Sequence, residues 1–214
     1  MKRGDTIVVA TKNAGKVREF AHAFGKLGME VVSMFDYPDL PDVVEDGTTF
    51  AENARKKART VAEALGLPVL ADDSGLETAA LGGEPGVYSA RYSGEGATDA
   101  RNNEKLLTEL ASVTNNGSEA EALADGTKLL SEAQFVCALA LYDPSDASFM
   151  ESTGYVRGFI MDKPRGSSGF GYDPLFWLNS HHKGMAELSI EEKQAISHRG
   201  QALAELLSQL ASRS

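Results

Sequence analysis

The sequence predicts an α/β protein built on a mixed β-sheet, and three observations carry that prediction. "TIVVA" (6–10), a loop, a helical stretch and "EVVSM" (30–34) make a β-loop-α-β opening. Further helical crossovers follow along the chain. Near the middle, "AQFVCALALY" (133–142) and "ASFMESTGYVRGFI" (147–160) flank "DPSD", which reads as an antiparallel hairpin. Crossovers together with a hairpin require parallel and antiparallel pairs in one sheet.

Each element has its own local reason. "TIVVA" is a short apolar run rich in β-branched residues, so it reads as a buried strand. After the turn "TKNAG", a helix opens near Lys16 with Val17, Phe20, Ala21 and Phe24 on one face. "YPDLPDVVEDG" (37–47) is a loop of turn formers. Thr49 and Glu52 have capping-box spacing and start a second helix lined by Phe50, Ala54, Ala58, Val61 and Leu65. "LPVLADDSG" (67–75) reads as a strand that runs into a turn, and residues 81–97 as a long glycine-rich loop. Thr98 caps a helix that turns Leu106, Leu107 and Leu110 inward. Residues 113–131 lack a period, and the whole of 113–133 is expected to be a surface excursion. "LFW" (175–177) is a further strand, Ser189 and Glu192 form another capping box, and a Ser-His-Arg-Gly break precedes a last helix with Leu203, Leu206, Leu207 and Leu210 inward.

With 214 residues, one domain in two lobes is the expected organisation. No apolar run reaches the length of a membrane span. A formal charge of -10 argues against a protein that coats nucleic acid, though not against a single polyphosphate that arrives with a divalent metal. The one cysteine, Cys137, lies in an apolar run and reads as a buried structural thiol, which makes the reducing cytoplasm the default compartment.

Four stretches offer chemistry. "TKNAGK" (11–16) joins a strand to a helix, where free N–H groups and partial positive charge suit a phosphate. Thr11 and Asn13 add neutral donors and Lys16 a cation, but a plain Asn N-cap explains the same residues. "ADDSG" (71–75) places Asp72 and Asp73 at an expected strand end, the usual ligand edge of an α/β sheet; a simple Asp-Ser-Gly turn is the competing reading. Neighbouring strand residues face opposite ways, so the two aspartates have different surroundings. Glu45 stands just before a capped helix and gains interest only if it meets Asp73 in space. Lys193, Ser197, His198 and Arg199 surround the helix break and could bind an anion or a base, or form a solvated junction.

The ordered set of "TKNAGK", "EDGTTFAENARKKA", "LADDSGLETAALGGEPGVYSARYSG", "GFGYDPLF" and "AELSIEEKQAISHRGQAL" resembles the inosine triphosphate pyrophosphatase family over residues 6–210, apart from the stretch near 113–133. That resemblance implies an elongated mixed sheet flanked by helices, in two lobes with the active-site cleft between them, and a homodimer. It implies Mg²⁺-dependent hydrolysis of ITP, dITP and XTP to the monophosphate and pyrophosphate. It also implies residue roles: Asp73 as proton acceptor and metal ligand, with Glu45 as a second metal carboxylate. The loop Thr11, Lys12, Asn13, Ala14, Gly15 and Lys16 would hold the polyphosphate, and Ser74 would touch substrate. Phe170, Gly171, Tyr172 and Asp173 would bind the nucleoside, joined by Lys193, His198 and Arg199. Asp72 and Lys57 are given supporting parts. Within the nucleoside run, Phe170 is expected to stack, Gly171 to allow close approach, and Asp173 to bind the base or hold Arg199. Backbone amides would help to frame the base edge. Two alternatives are a Maf-type pyrophosphatase, against which "SHRGQAL" and "FGYDP" argue, and a nucleotide-binding module without turnover.

Overall fold

The computed structural model describes residues 5–40, 42–114 and 121–212. Its seven-stranded sheet has the order β2-β1-β3-β4-β5-β6-β7. The strands are β1 (Thr6–Val9), β2 (Glu30–Ser33), β3 (Val69–Thr78), β4 (Leu129–Asp143), β5 (Ser148–Met161), β6 (Phe176–Leu178) and β7 (Lys183–Gly184). β1 pairs in parallel with β2, Thr6 opposite Glu30, and with β3, Val9 opposite Leu70. β6 pairs antiparallel with β5, Phe159 opposite Trp177, and with β7. The sheet is therefore mixed, as the crossovers and the hairpin predicted. Residues 144–147 form the turn that links the neighbours β4 and β5.

The chain forms two compact units: Met1–Asp73 with Cys137–Gly154 and Ser197–Ser214, and Ser74–Val136 with Tyr155–Ile196. In the first, helix α1 (Ala14–Lys26) lays Phe20 and Phe24 against Ile7, Val9 and Leu70. Both rings are wholly buried, worth roughly 2–3 kcal/mol each. The expected stripe needs one change: Ala21 is exposed, and Glu19 is buried in its place. Helix α2 (Phe50–Leu65) starts at the predicted capping box, with Thr49 Oγ1 accepting from the Glu52 amide and Glu52 Oε2 from the Thr49 amide. It ends at Gly66, whose φ of 66° is the left-handed conformation that closes a helix without a Cβ penalty.

Helix α5 (His198–Ser212) seats on β5 through two small residues. Ser152 Oγ donates to the Ala202 carbonyl at 2.7 Å. A Cβ on Gly154 would stand 2.1 Å from the His198 carbonyl oxygen, so only glycine lets the helix start come this close.

In the second unit, helix α3 (Asp99–Thr114) turns Leu106 and Leu110 into a core with Leu76, Phe135, Ile160 and Phe176. Thr98 Oγ1 accepts from the Arg101 amide, the cap the sequence called for. Helix α4 (Ile190–Ile196) opens on the Ser189–Glu192 box. It stops at Ser197, so Lys193 and Ser197 are not on one continuous helix.

Two expectations change. β3 does not end in a turn at 73–75; it continues through both aspartates to Thr78. Buried ion pairs on each face satisfy the carboxylates, which removes the reason for the strand to stop. β4 begins at Leu129, inside the stretch 113–133 that was expected to be an excursion. Just before it, Ala122 and Lys128 form an antiparallel bridge, and Leu123 packs on a small core with Trp177. Residues 115–120 of that stretch lie outside the described residues. Among the described residues, no helix is long and apolar enough to cross a membrane.

Candidate active site

The alternation of β3 separates the two aspartates as predicted, and each meets its own charged partners. Asp72 is 1% exposed. Arg199 Nε donates to its Oδ2 at 3.0 Å, Lys16 pairs with its Oδ1, and Cys137 Sγ donates to Oδ2 at 2.9 Å. Burial pushes the Asp72 carboxyl up, but Arg199 and Lys16 outweigh it and hold the group well below the usual carboxylate range. Arg199 also grips Glu19 through Nη1. Burial lowers the guanidinium's proton affinity, but Asp72 and Glu19 raise it further, so Arg199 is a fixed cation. Burial and the adjacent Asp72 push the Cys137 thiol up, which keeps it a neutral donor. This face therefore has the balanced charges Lys16, Arg199, Asp72 and Glu19.

The opposite face is not balanced. Lys57 Nζ stands 3.3 Å from Asp73 Oδ1 and 2.9 Å from Glu45 Oε1. Two carboxylates thus converge on one ammonium, which meets the condition set for Glu45. Burial pushes Asp73 up and Glu45 adds to the rise, while Lys57, Lys16 and Asn53 oppose it without cancelling it. Burial pushes Lys57 down, but Asp73 and Glu45 reverse that and hold it charged.

Asn53 joins the two carboxylate-bearing segments. Its Nδ2 donates to Asp73 Oδ2 at 3.0 Å, and its Oδ1 accepts from the Gly47 amide at 2.8 Å. A Cβ on Gly47 would lie 2.7 Å from that Oδ1 and would push apart the strand of chain that carries Glu45. Asn53 and Glu19 escaped the sequence reading. Their signal was there: each is a polar residue on the buried stripe of its helix, Asn53 one turn before Lys57 and Glu19 one position before Phe20.

The loop ahead of α1 divides. Asn13 Oδ1 accepts from the Lys16 amide at 3.0 Å, so Asn13 is the helix N-cap, and Thr11 Oγ1 accepts from the Asn13 amide at 3.1 Å. Gly15 is buried and Ala14 is exposed. Lys12 turns outward to Asp42 at 2.5 Å. His198 is buried at the first position of α5.

The run 170–173 belongs to the second unit, where Ser74 stands half-buried in β3. Asp173 Oδ2 accepts from the Phe170 amide at 2.9 Å and from Lys193 Nζ at 2.6 Å. That ammonium also lies 4.7 Å from the centre of the Phe170 ring, within cation–π range. Tyr172 is a core residue, 5% exposed, with its hydroxyl donating to the Ser89 carbonyl. Burial raises the Tyr172 phenol above its ordinary value, so it stays protonated. The amides of Phe170, Gly171 and Asp173 all have internal acceptors, namely Asp173, Asp99 and the Phe170 carbonyl. The Phe170 and Asp173 amides are thus taken up within the run, and the Gly171 amide by α3. Gly171 answers a conformational need, φ 62°, with no protein atom within 4 Å of a Cβ placed there; the close approach is at Gly169, where a Cβ would meet Asp173 Oδ2 at 2.1 Å.

Comparison with known proteins identifies the family. The Ham1 family model matches residues 7–209. A dITP/XTP pyrophosphatase of Geobacillus kaustophilus (strain HTA426) is 52% identical over 202 residues, which are 94% of this chain and 91% of that protein. A dITP/XTP pyrophosphatase of Streptococcus agalactiae serotype V is 49% identical over 95% of this chain, and the chain spans 59% of that longer relative. The solved structure of a HAM1 protein from Coxiella burnetii superimposes with a TM-score of 0.80 at 40% identity, covering 98% of this chain and 99% of that one. Sequence, strand order and residue placement lead to one assignment: the chain belongs to the Ham1 family.

Proposed function

We propose that the protein is a nucleoside triphosphate pyrophosphatase that hydrolyses ITP, dITP and XTP/dXTP to the monophosphate and pyrophosphate. The observation that carries this reading is the convergence of Glu45 and Asp73 on the single ammonium of Lys57. The two neighbouring carboxylates offer hard oxygen donors of the kind that suit Mg²⁺. No group of three or more acidic, His or Cys ligands occurs among the described residues, so water and substrate phosphate would complete the shell. Glu45 and Asp73 would hold the Mg²⁺, which when bound would supply charge neutralisation for the triphosphate and acidify a bound water.

The chain's own residues account for the remainder. Lys16 and the first amides of α1 take the polyphosphate, with Thr11 shaping the turn. Water adds to phosphorus at the α–β linkage, the bridging P–O bond breaks, and the water's proton passes to the Asp73 carboxylate. Lys57 keeps Asp73 and Glu45 in place, and Asn53 prevents the segment before α2 from drifting. Phe170 stacks on the base, with the Lys193 ammonium 4.7 Å from the centre of that ring as a donor beside it. The resemblance further suggests a homodimer, and the buried thiol Cys137 accords with a reducing cytoplasm.

The test is pyrophosphate release from a panel of standard and non-standard nucleotides, with and without Mg²⁺. Release from ITP, dITP and XTP should exceed that from ATP and GTP by about a hundredfold or more. Equal rates on all purine triphosphates would remove the specificity, and tight ITP binding without release would leave a binding module.

A further inference from the structure

The nucleoside run is closed in part by its own Asp173, which accepts from the Phe170 amide, but Gly171 within it is held from outside. Residues 163–169 reach it as a mostly exposed stretch in which Gly166 and Gly169 both have positive φ, followed by Gly171 at 62°. The Arg165 amide is tied to the Pro174 carbonyl and the Ser168 amide to that of Ala186, while the left-handed Gly171 takes its two backbone partners from elsewhere. Helix α3 supplies them through its polar face. Asp99 Oδ2 accepts from the Gly171 amide at 2.7 Å, and Asn103 Nδ2 donates to the Gly171 carbonyl at 3.0 Å. The two side chains are four residues apart and so share one side of the helix. Together they take both polar backbone groups of a single residue. Asn103 Oδ1 is buried and accepts no hydrogen bond among the described residues, so the Gly171 carbonyl alone sets which way that amide faces.

A second tie lies beside the first. Asn102 Nδ2 donates to the Ser89 and Ala90 carbonyls, and its Oδ1 accepts from the amide and hydroxyl of Ser93. The Ser89 carbonyl also accepts from Tyr172. Asp99, Asn102 and Asn103 of α3 thus anchor Gly171 and the segment 89–93 that receives the Tyr172 hydroxyl, while Leu106 and Leu110 fix the helix itself in the core.

We infer that Asp99 and Asn103 are positioning residues for nucleoside binding. They hold Gly171 in its left-handed conformation and so set where the Phe170 ring and the Asp173–Lys193 pair stand. This rests on the reading of 170–173 as the nucleoside-binding run. A clamp of this kind acts on substrate affinity and not on the phosphate chemistry of the other unit, so its signature is a split between KM and kcat.

Steady-state kinetics with ITP and Mg²⁺ on the full chain test this. Asp99→Ala and Asn103→Ala should each raise KM about tenfold with kcat within about twofold of the parent. Asp99→Asn keeps an acceptor for the Gly171 amide and should restore most of the loss. Asn103→Asp keeps the shape but presents an acceptor to a carbonyl, so it should be at least as poor as Asn103→Ala. A purely structural role would lower thermal stability without that pattern of rescue. The near-isosteric pair Asp99→Asn and Asn103→Asp carries the test if an alanine variant fails to fold. Unchanged KM in both alanine variants, or an Asp99→Asn variant no better than Asp99→Ala, overturns the clamp. Phe170→Ala separates the two levels: raised KM there with unchanged KM in the clamp variants rejects the clamp alone. Unchanged KM in Phe170→Ala rejects the nucleoside reading and the clamp with it.

Discussion

At the scale of single residues, the adjacent aspartates of β3 show how environment divides one chemistry into two roles. Burial, helped by Glu45, lets Asp73 hold a proton more readily than an ordinary carboxylate despite Lys57 and Lys16 nearby. Asp73→Asn keeps an acceptor for Asn53 but loses the charge and the base. Turnover should fall about a hundredfold or more while thermal unfolding stays cooperative, checked by pyrophosphate release beside a melting curve. Asp72 does the reverse. Its folded pKa is depressed, so its contribution is present above the unfolded value of about 3.9 and is lost as pH falls below it. Asp72→Asn leaves Arg199 and Lys16 buried with too little negative charge. It should cost about 3 kcal/mol at neutral pH. The deficit should shrink as denaturation curves are taken below about pH 4; a deficit constant down to pH 2 would show that the ion pair is not its source.

At the scale of elements, backbone proximity does as much as side-chain chemistry. Helix α5 brings His198 and Arg199 into place because Ser152 and Gly154 let it lie directly on β5. Gly154→Ala should destabilise by roughly 1–3 kcal/mol, since the added methyl meets two backbone atoms that cannot rotate away. Gly25→Ala in α1 is the matched control: a Cβ there meets nothing within 4 Å, so the exposed helix should gain roughly 0.5–1 kcal/mol. Differential scanning calorimetry of the two variants should show shifts of opposite sign. The same logic governs β3. The sequence marks Asp-Asp-Ser-Gly as a turn because those residues favour turns locally, yet the strand passes straight through, since Arg199, Lys16, Lys57 and Asn53 arrive from distant segments to satisfy it.

At the scale of the whole molecule, the charge of -10 is consistent with a small polyanionic ligand only because cations are concentrated where they count. Lys16, Lys57 and Arg199 are mostly or wholly buried beside carboxylates, and Lys193 is buried beside Asp173. The proposed homodimer makes a simple prediction: light scattering should give a mass close to twice the 22.8 kDa of one chain at micromolar concentration, and a monomer mass would retire that part of the reading.

By itself, the sequence determined what depends on neighbours along the chain. Caps at Asn13, Thr49, Thr98 and Ser189, the helix stripes around Phe20, Ala54 and Leu106, and the opposite facing of Asp72 and Asp73 all follow from periodicities of 3.6 and 2. Five ordered motifs also pointed to the family. Only the tertiary structure decided which charges meet. It paired Asp72 with Arg199, 127 positions away, brought Glu45 and Asp73 to one ammonium, and recruited Asn53 and Glu19. It also showed that the Phe170 amide is spent within its own turn, on Asp173, and the Gly171 amide on Asp99 of α3. The physical reason is that a cap or a stripe is settled by contacts within one turn or strand, whereas a buried charge is stable only with partners that folding alone brings within a few ångströms.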